Sequence, residues 1–222
     1  MSLTREQIQS GWVQKMAQEA GHSMKVLTEE ELAQSRRETM ACAPSKDVWV
    51  FGYGSLIWNP AFHFVERRIG TIHGHHRRFC LWTTLGRGSP ECPGLMLGLD
   101  RGGSCRGVVL RIAPDFVDSE LDVLWRREMV SNAYVPTWVR AVTDNGEVSA
   151  IAFTINRGHE RYAEKMSEEK TADVIARAAG RIGPCRDYLL NTVDHLDQLG
   201  IRDRAMKRIA EKVRRQAAGA SP

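Results

Sequence analysis

The sequence predicts an α+β domain, a small mixed or antiparallel β-barrel with helices around it, and three observations predict it. Short apolar runs bounded by glycine or proline recur at close spacing between Val48 and Ile155. One pair of them, Tyr134–Val142 and Val148–Ile155, flanks Asp144-Asn145-Gly146, a strong hairpin signal. After Ile155 the pattern turns helical and stays so to the end. The chain of 222 residues suits one domain with appendages. Its 42% hydrophobic and 26% charged residues exclude disorder throughout.

Residues 1–46 are polar and helix-prone, and Pro44 marks their exit, so they form a helical N-terminal appendage. Residues 47–222 read as the main domain, C-terminal helices included. Its first strand is Val48-Trp49-Val50-Phe51. Further strands are expected at Arg68–Ile72, Arg78–Trp82, Leu95–Leu99 and Gly107–Ile112, separated by breakers that include Gly86–Pro93 and Gly102-Gly103. Residues 115–129 read as a helix. The hairpin follows, then helices over about 172–180, 184–199 and 202–216, stopped by Gly180 and Gly200.

The formal net charge of +4 invites a nucleic-acid reading, and its distribution counters it. Seven basic and two acidic residues between Arg202 and Arg215 leave the rest of the chain close to neutral. A basic terminal helix of this kind is a solvated face, and no nucleic-acid partner is expected. No apolar run nears the roughly 20 residues that span a bilayer, and Glu6, Gln7 and Gln9 interrupt any leader-like stretch, so no membrane partner and a cytoplasmic location are expected. Five scattered cysteines without a Cys-x-x-Cys pair argue against disulfides and a zinc knuckle. His73, His75 and His76 lack a completing carboxylate or thiol nearby, so no metal is expected; on a regular strand the first two share a face opposite the third. Cys80, in an apolar strand, and Cys105, in a glycine-rich loop, read as incidental thiols.

Two features carry chemistry. Gly52-Tyr53-Gly54-Ser55-Leu56 directly follows the first strand. Glycines there permit positive φ and close approach of a ligand, and successive amides make a donor site for a carboxylate or oxyanion. The turn lacks the Gly-Lys-Ser/Thr of a phosphate loop, and Ile57 replaces the third glycine of a dinucleotide fingerprint. The second feature is a carboxylate out of place. Val117, Leu121 and Leu124 form the apolar stripe of the 115–129 helix, widened by Trp125 and Met129, and the next position on that stripe is Glu128. Asp122, Arg126 and Arg127 are expected to point elsewhere. A buried carboxylate binds its proton more tightly, which suits a base. An α-amino group and an ordinary Glu differ by about 3.5 pKa units, about 5 kcal/mol against proton transfer, and raising the Glu narrows that gap. The alternatives are a structural Glu paired with a buried Arg or Tyr, or one lying at the helix end in water.

Taken together, the motifs resemble those of the ChaC-type γ-glutamylcyclotransferases. VWVFGYGSLIW at Val48–Trp58, with Asn59-Pro60, is similar to the family signature. Gly74-His75-His76-Arg77-Arg78-Phe79, Arg87-Gly88-Ser89-Pro90, Pro93-Gly94, Gly102–Gly107, Arg127-Glu128 with Tyr134, Ile182-Gly183-Pro184, Tyr188-Leu189-Leu190 and Leu199-Gly200-Ile201 extend the resemblance over about 47–215. His75 and Cys185 depart from residues frequent in the family, Tyr and Asn. The resemblance implies a γ-glutamylcyclotransferase-like fold and a lyase that cyclises glutathione or a related γ-glutamyl compound to 5-oxoproline, releasing Cys-Gly from glutathione. It implies Glu128 as general acid/base, a γ-glutamyl site built from Gly52, Tyr53, Gly54, Ser55 and Leu56, a substrate contact or a structural role for Tyr134, and a small-molecule substrate with no cofactor. Trp58 is a further candidate for the pocket wall. The alternatives are action on other γ-glutamyl amines, or a non-catalytic small-molecule binding module.

Overall fold

In the computed structural model, residues 3–19 and 25–219 are described, with side chains to residue 216. Helices α1 (Arg5–Gln9), α2 (Trp12–Glu19) and α3 (Glu29–Ala41) precede the sheet. Five strands, β1 (Val48–Gly52), β2 (Glu66–Thr83), β3 (Gly94–Ile112), β4 (Tyr134–Thr143) and β5 (Gly146–Ile155), close into a barrel in the order β1-β3-β2-β4-β5. Helix α4 (Val117–Glu128) links β3 to β4. After the barrel come α5 (Glu168–Arg177), the two-residue strands β6 (Ala179–Gly180) and β7 (Gly183–Pro184), α6 (Cys185–Gln198) and α7 (Arg204–Gly219). Among the described residues, no helix is long and apolar enough to cross a membrane.

Most pairings are antiparallel, and the barrel closes through a parallel one. Trp49 and Val50 of β1 lie beside Ala150 and Ile151 of β5. This position makes β1 a central strand covered on both faces, which is why it reads as an unbroken apolar run rather than an alternating one. Trp49 and Phe51 join the core under α5, α6 and α7; Val48 and Val50 join the core under α3 and α4, where Trp125 meets Phe153 edge to face at 5.3 Å.

Four strands expected from sequence are two. Arg68–Ile72 and Arg78–Trp82 are parts of β2, and Leu95–Leu99 and Gly107–Ile112 are parts of β3. The breakers between them are bulges inside a continuing ladder: Gly74 (φ +83°) faces Gly102 and Gly103 (φ +97° and +71°), and pairing passes from His73↔Ser104 to His75↔Arg101. The bulge also interrupts the period-two alternation through the three histidines. Asp144-Asn145-Gly146 turns the β4–β5 hairpin as expected, with Gly146 at φ +96°.

The helices shift at their ends. Ser167 caps α5 by accepting from the Lys170 amide, so α5 begins four residues before the expected start, and extended backbone at Ala178 ends it before Gly180. The expected 202–216 helix begins at Arg204. Its basic residues face acidic ones on α5 and α6: Arg208–Glu168 at 2.6 Å, Lys212–Glu169 at 2.6 Å and Lys207–Asp197 at 2.7 Å. The charge excess that reads as a solvated face is also a set of inter-helix contacts.

The N-terminal helices are tied to α4. Glu120, almost wholly buried, accepts two hydrogen bonds from Arg5, at 2.5 and 2.9 Å, and one from the His63 amide at 2.8 Å. Burial alone pushes the Glu120 carboxyl up, but the Arg5 guanidinium and the amide outweigh it and hold the group below the ordinary range. The stability so gained is present above the unfolded-state pKa and is lost as pH falls through the folded-state value. Arg5→Ala is expected to destabilise the protein by about 1–3 kcal/mol at pH 7, since Glu120 is left buried without its cation. Thermal unfolding of the two proteins tests this, and their melting temperatures should converge as pH falls below the folded-state pKa of Glu120.

Candidate active site

The strand β1 ends against a sharp turn. Tyr53 and Gly54 lead into a 3-10 turn at Ser55–Ile57, whose first amide bonded to a backbone carbonyl is that of Ile57, donating to Gly54 O at 3.0 Å. The amides of Gly54, Ser55 and Leu56 precede it, as the opening N–H groups of any helical turn lack intrahelical partners. Neither Gly52 nor Gly54 adopts positive φ. Their glycine character has another cause, which is crowding. A Cβ on Gly52 would lie 3.0 Å from Val108 Cγ2, and one on Gly54 would lie 2.7 Å from Tyr188 Oη. Gly52 packs into the barrel and does not line the cavity that opens beside the turn; Tyr53, Gly54, Ser55 and Leu56 do line it.

Across that cavity stands Glu128, the last residue of α4. Leu121, Leu124, Trp125 and Met129 are buried, so the apolar face lies where the periodicity places it and Glu128 follows it inward. Its side chain keeps 15% exposure and lines the cavity. Burial pushes its carboxyl up, and the adjacent Arg127 guanidinium offsets only part of that shift, so the net direction is upward. The group therefore holds its proton more tightly than an ordinary Glu.

Arg127 does not point away from the stripe. Its Nε lies 3.0 Å from Glu128 Oε1, Nη2 donates to Ser55 Oγ at 2.8 Å, and Nη1 donates to the Asn59 and Pro60 carbonyls. At the final turn of a helix a long flexible side chain can fold over the end, so the helical phase does not fix its direction. One guanidinium joins the carboxylate to the glycine turn. A second arginine braces the turn from behind: buried Arg77 donates to the Tyr53 and Arg106 carbonyls and pairs with Asp203 at 2.7 Å. Arg77 belongs to the Gly74–Phe79 string, and that membership was its sequence signal.

Three tyrosines complete the polar lining. Tyr134 donates to Leu97 O at 2.7 Å and Tyr53 donates to Phe153 O at 2.8 Å, so both hydroxyl protons serve the barrel while their oxygens remain acceptors. Burial pushes the phenols of Tyr53, Tyr134 and Tyr188 up, with the Glu128 charge adding to it, and all three are neutral at physiological pH. Tyr188 reaches the site from α6 and carries no local sequence signal beyond its motif. Trp58 lines the cavity and its indole donates to Thr192 Oγ1 at 3.4 Å. Leu3, Val13 and Met16, from the N-terminal segment, contribute part of the apolar wall. The thiols lie away from this chemistry: burial pushes Cys80 up to about 12 and Cys185 up to about 11, so neither is a nucleophile at neutral pH.

The arrangement brings backbone amides, a buried carboxylate and neutral phenols onto one apolar cleft. Comparison with known proteins gives the family. The family model described as ChaC-like protein matches residues 48–216. The chain is 40% identical to the glutathione-specific γ-glutamylcyclotransferase of Escherichia coli K12, over 84% of this chain and 81% of that one. It is 31% identical to human glutathione-specific γ-glutamylcyclotransferase 1, over 69% and 71%. A yeast crystal structure described as a γ-glutamylcyclotransferase specific to glutathione superposes with a TM-score of 0.70, covering 77% of this chain and 97% of that one at 23% identity, and shares the fold. The chain belongs to the ChaC-like family.

The close approach of Gly54 to Tyr188 is separable from any activity. Gly54→Ala should destabilise the protein by about 1–3 kcal/mol, the usual cost of forcing atoms into a filled site. Adding Tyr188→Phe, which removes the oxygen that the new Cβ meets, should recover at least half of that loss. Denaturant unfolding of the two single variants and the double variant measures the coupling.

Proposed function

We propose that this chain is a γ-glutamylcyclotransferase that converts glutathione to 5-oxoproline and Cys-Gly without a cofactor. Membership of the ChaC-like family and the names of its curated relatives support the activity and the substrate. The observation that carries the mechanism is the placement of a buried carboxylate with raised proton affinity on the same cleft as the glycine turn.

The substrate supplies its own nucleophile. The α-amino nitrogen attacks the γ-carbonyl carbon, forming the lactam C–N bond, and the amide C–N bond to the cysteinyl nitrogen breaks. Both ends of the reaction are held in one molecule, so the protein's task is to fold the γ-glutamyl chain and to move two protons from the attacking nitrogen to the departing one. In this reading the Gly54, Ser55 and Leu56 amides hold the γ-glutamyl group and meet the negative charge that develops on the carbonyl oxygen. Glu128 takes a proton from the α-ammonium and hands it to the cysteinyl nitrogen as the C–N bond breaks, and the second proton that the attacking nitrogen sheds on becoming the lactam N–H passes to the freed amine, which leaves as an ammonium. Its upward-shifted pKa narrows the gap to the amino group, and Arg127 keeps it aimed at the turn. Tyr134 and Tyr53 offer acceptor oxygens, and Gly52 acts by letting the turn pack on Val108 rather than by touching substrate.

The protein incubated with glutathione should yield 5-oxoproline and Cys-Gly in equal amounts, read by mass. Glu128→Gln should lower kcat by about 10²–10⁴-fold, the range expected for loss of an acid–base group. Raised proton affinity in the folded state means that ionised Glu128 opposes folding, and this opposition grows as pH rises from the unfolded-state pKa through the folded-state value. The Gln variant should therefore be at least as stable as the wild type at pH 8. Full activity in Glu128→Gln, or a large loss of its stability, would overturn the assignment. For the wild type, kcat/KM should rise with pH as Glu128 loses its proton.

A further inference from the structure

The cavity contains a cation for which the proposed chemistry has no use. Arg161 lies between β5 and α5 and lines the cleft. Its Nη2 donates to Ser131 Oγ at 2.5 Å, while its Nε is buried without a hydrogen-bond partner. Among the described residues, no carboxylate lies within ion-pair distance of it, whereas Arg127 on the same cleft is paired with Glu128. A guanidinium partly withdrawn from water with no direct ion pair is costly, and burial lowers its proton affinity accordingly.

The segment is built to hold it still. The Arg161 carbonyl accepts from the Trp82 amide at 2.9 Å, its amide donates to His159 Nδ1 at 3.1 Å, and His159 Nε2 lies 2.8 Å from Ser131 O. Asn156 fastens the start of the segment through the Ala133 and Asn132 carbonyls at 2.9 and 3.0 Å. A cation fixed in advance loses little freedom on binding an anion. Arg161 shares the cleft with Glu128 but is anchored on Ser131 and on the backbone of Trp82, whereas Glu128 is tied through Arg127 to the glycine turn.

Glutathione carries one ammonium and two carboxylates. The γ-glutamyl carboxylate shares a carbon with the ammonium that Glu128 serves, so it belongs at the turn end. The glycine carboxylate is the remote one, separated from the scissile bond by the cysteinyl residue. Resting on the function proposed above, we propose that Arg161 binds the carboxylate of the departing amine and makes the enzyme prefer glutathione over uncharged γ-glutamyl amides. Ser131 Oγ orients the guanidinium, and Arg161 takes no part in bond making.

The test compares glutathione with its C-terminal amide, which lacks only that charge, in the full-length wild type, Arg161→Met and Arg161→Lys. The wild type should favour glutathione in kcat/KM by about 10- to 100-fold, the value of a charge-assisted hydrogen bond. Arg161→Met should raise the KM for glutathione by a similar factor, with kcat changed less than about threefold and the amide kinetics unchanged. Arg161→Lys should recover part of the preference, and Arg161→Met should melt no lower than the wild type, because it removes an uncompensated buried charge. Equal penalties on both substrates, an unchanged KM, or a lower melting temperature for Arg161→Met would overturn the role of Arg161 while leaving the cyclisation reading intact. A wild type that turns over neither substrate would remove that reading, and the role of Arg161 with it.

Discussion

The Arg127 guanidinium is the connection on which the site depends. It touches the carboxylate of Glu128, the hydroxyl of Ser55 and the carbonyls of Asn59 and Pro60, so the end of α4 and the turn after β1 move as one body. Its electrostatic effect is opposed to that of burial. A guanidinium beside a carboxylate favours the ionised form, and desolvation favours the protonated one. Here desolvation is the larger, and Glu128 ends with raised proton affinity. Stronger pairing would lower the proton affinity of the carboxylate, and no pairing would leave it without orientation.

The barrel supplies the rigidity behind this arrangement. Because β1 is covered on both faces, the turn at its end starts from one of the most enclosed strands in the chain. Tyr188 then approaches so closely that only glycine is accommodated at position 54, and Arg77, anchored by Asp203, takes up the Tyr53 carbonyl. Parts of the chain far apart in sequence thus converge on a few backbone atoms. The N-terminal segment adds Leu3, Val13 and Met16 to the wall and is fastened by the Arg5–Glu120 pair, so the part of the chain outside the family match is also part of the cleft.

Local pattern determined a large part of this molecule. The α4 stripe and its interruption at Glu128, the Asn145-Gly146 hairpin, the apolar β1 and the terminal helices follow from periodicities of 3.6 and 2 and from turn chemistry, which act over a few residues. The turn Gly52–Leu56 is legible as a break after an apolar strand, and its residues Tyr53 to Leu56 line the cavity. Tertiary structure decided what those rules do not reach. Gly102 and Gly103 read as breakers, and only their opposition to the bulge at Gly74 shows that the ladder continues through them. Gly54 reads as a conformational glycine, and only the neighbouring hydroxyl of α6 shows that it is a packing one. Arg127 reads as solvent-facing, and only the carbonyls some 70 residues earlier in the chain show why it folds inward. Arg161 stands in no pattern at all; that its buried Nε has no hydrogen-bond partner in the cleft is a property of the fold. A sequence determines which face of an element is apolar. Which partner meets a buried polar group is set by packing between distant segments, and that is where the chemistry of this protein is decided.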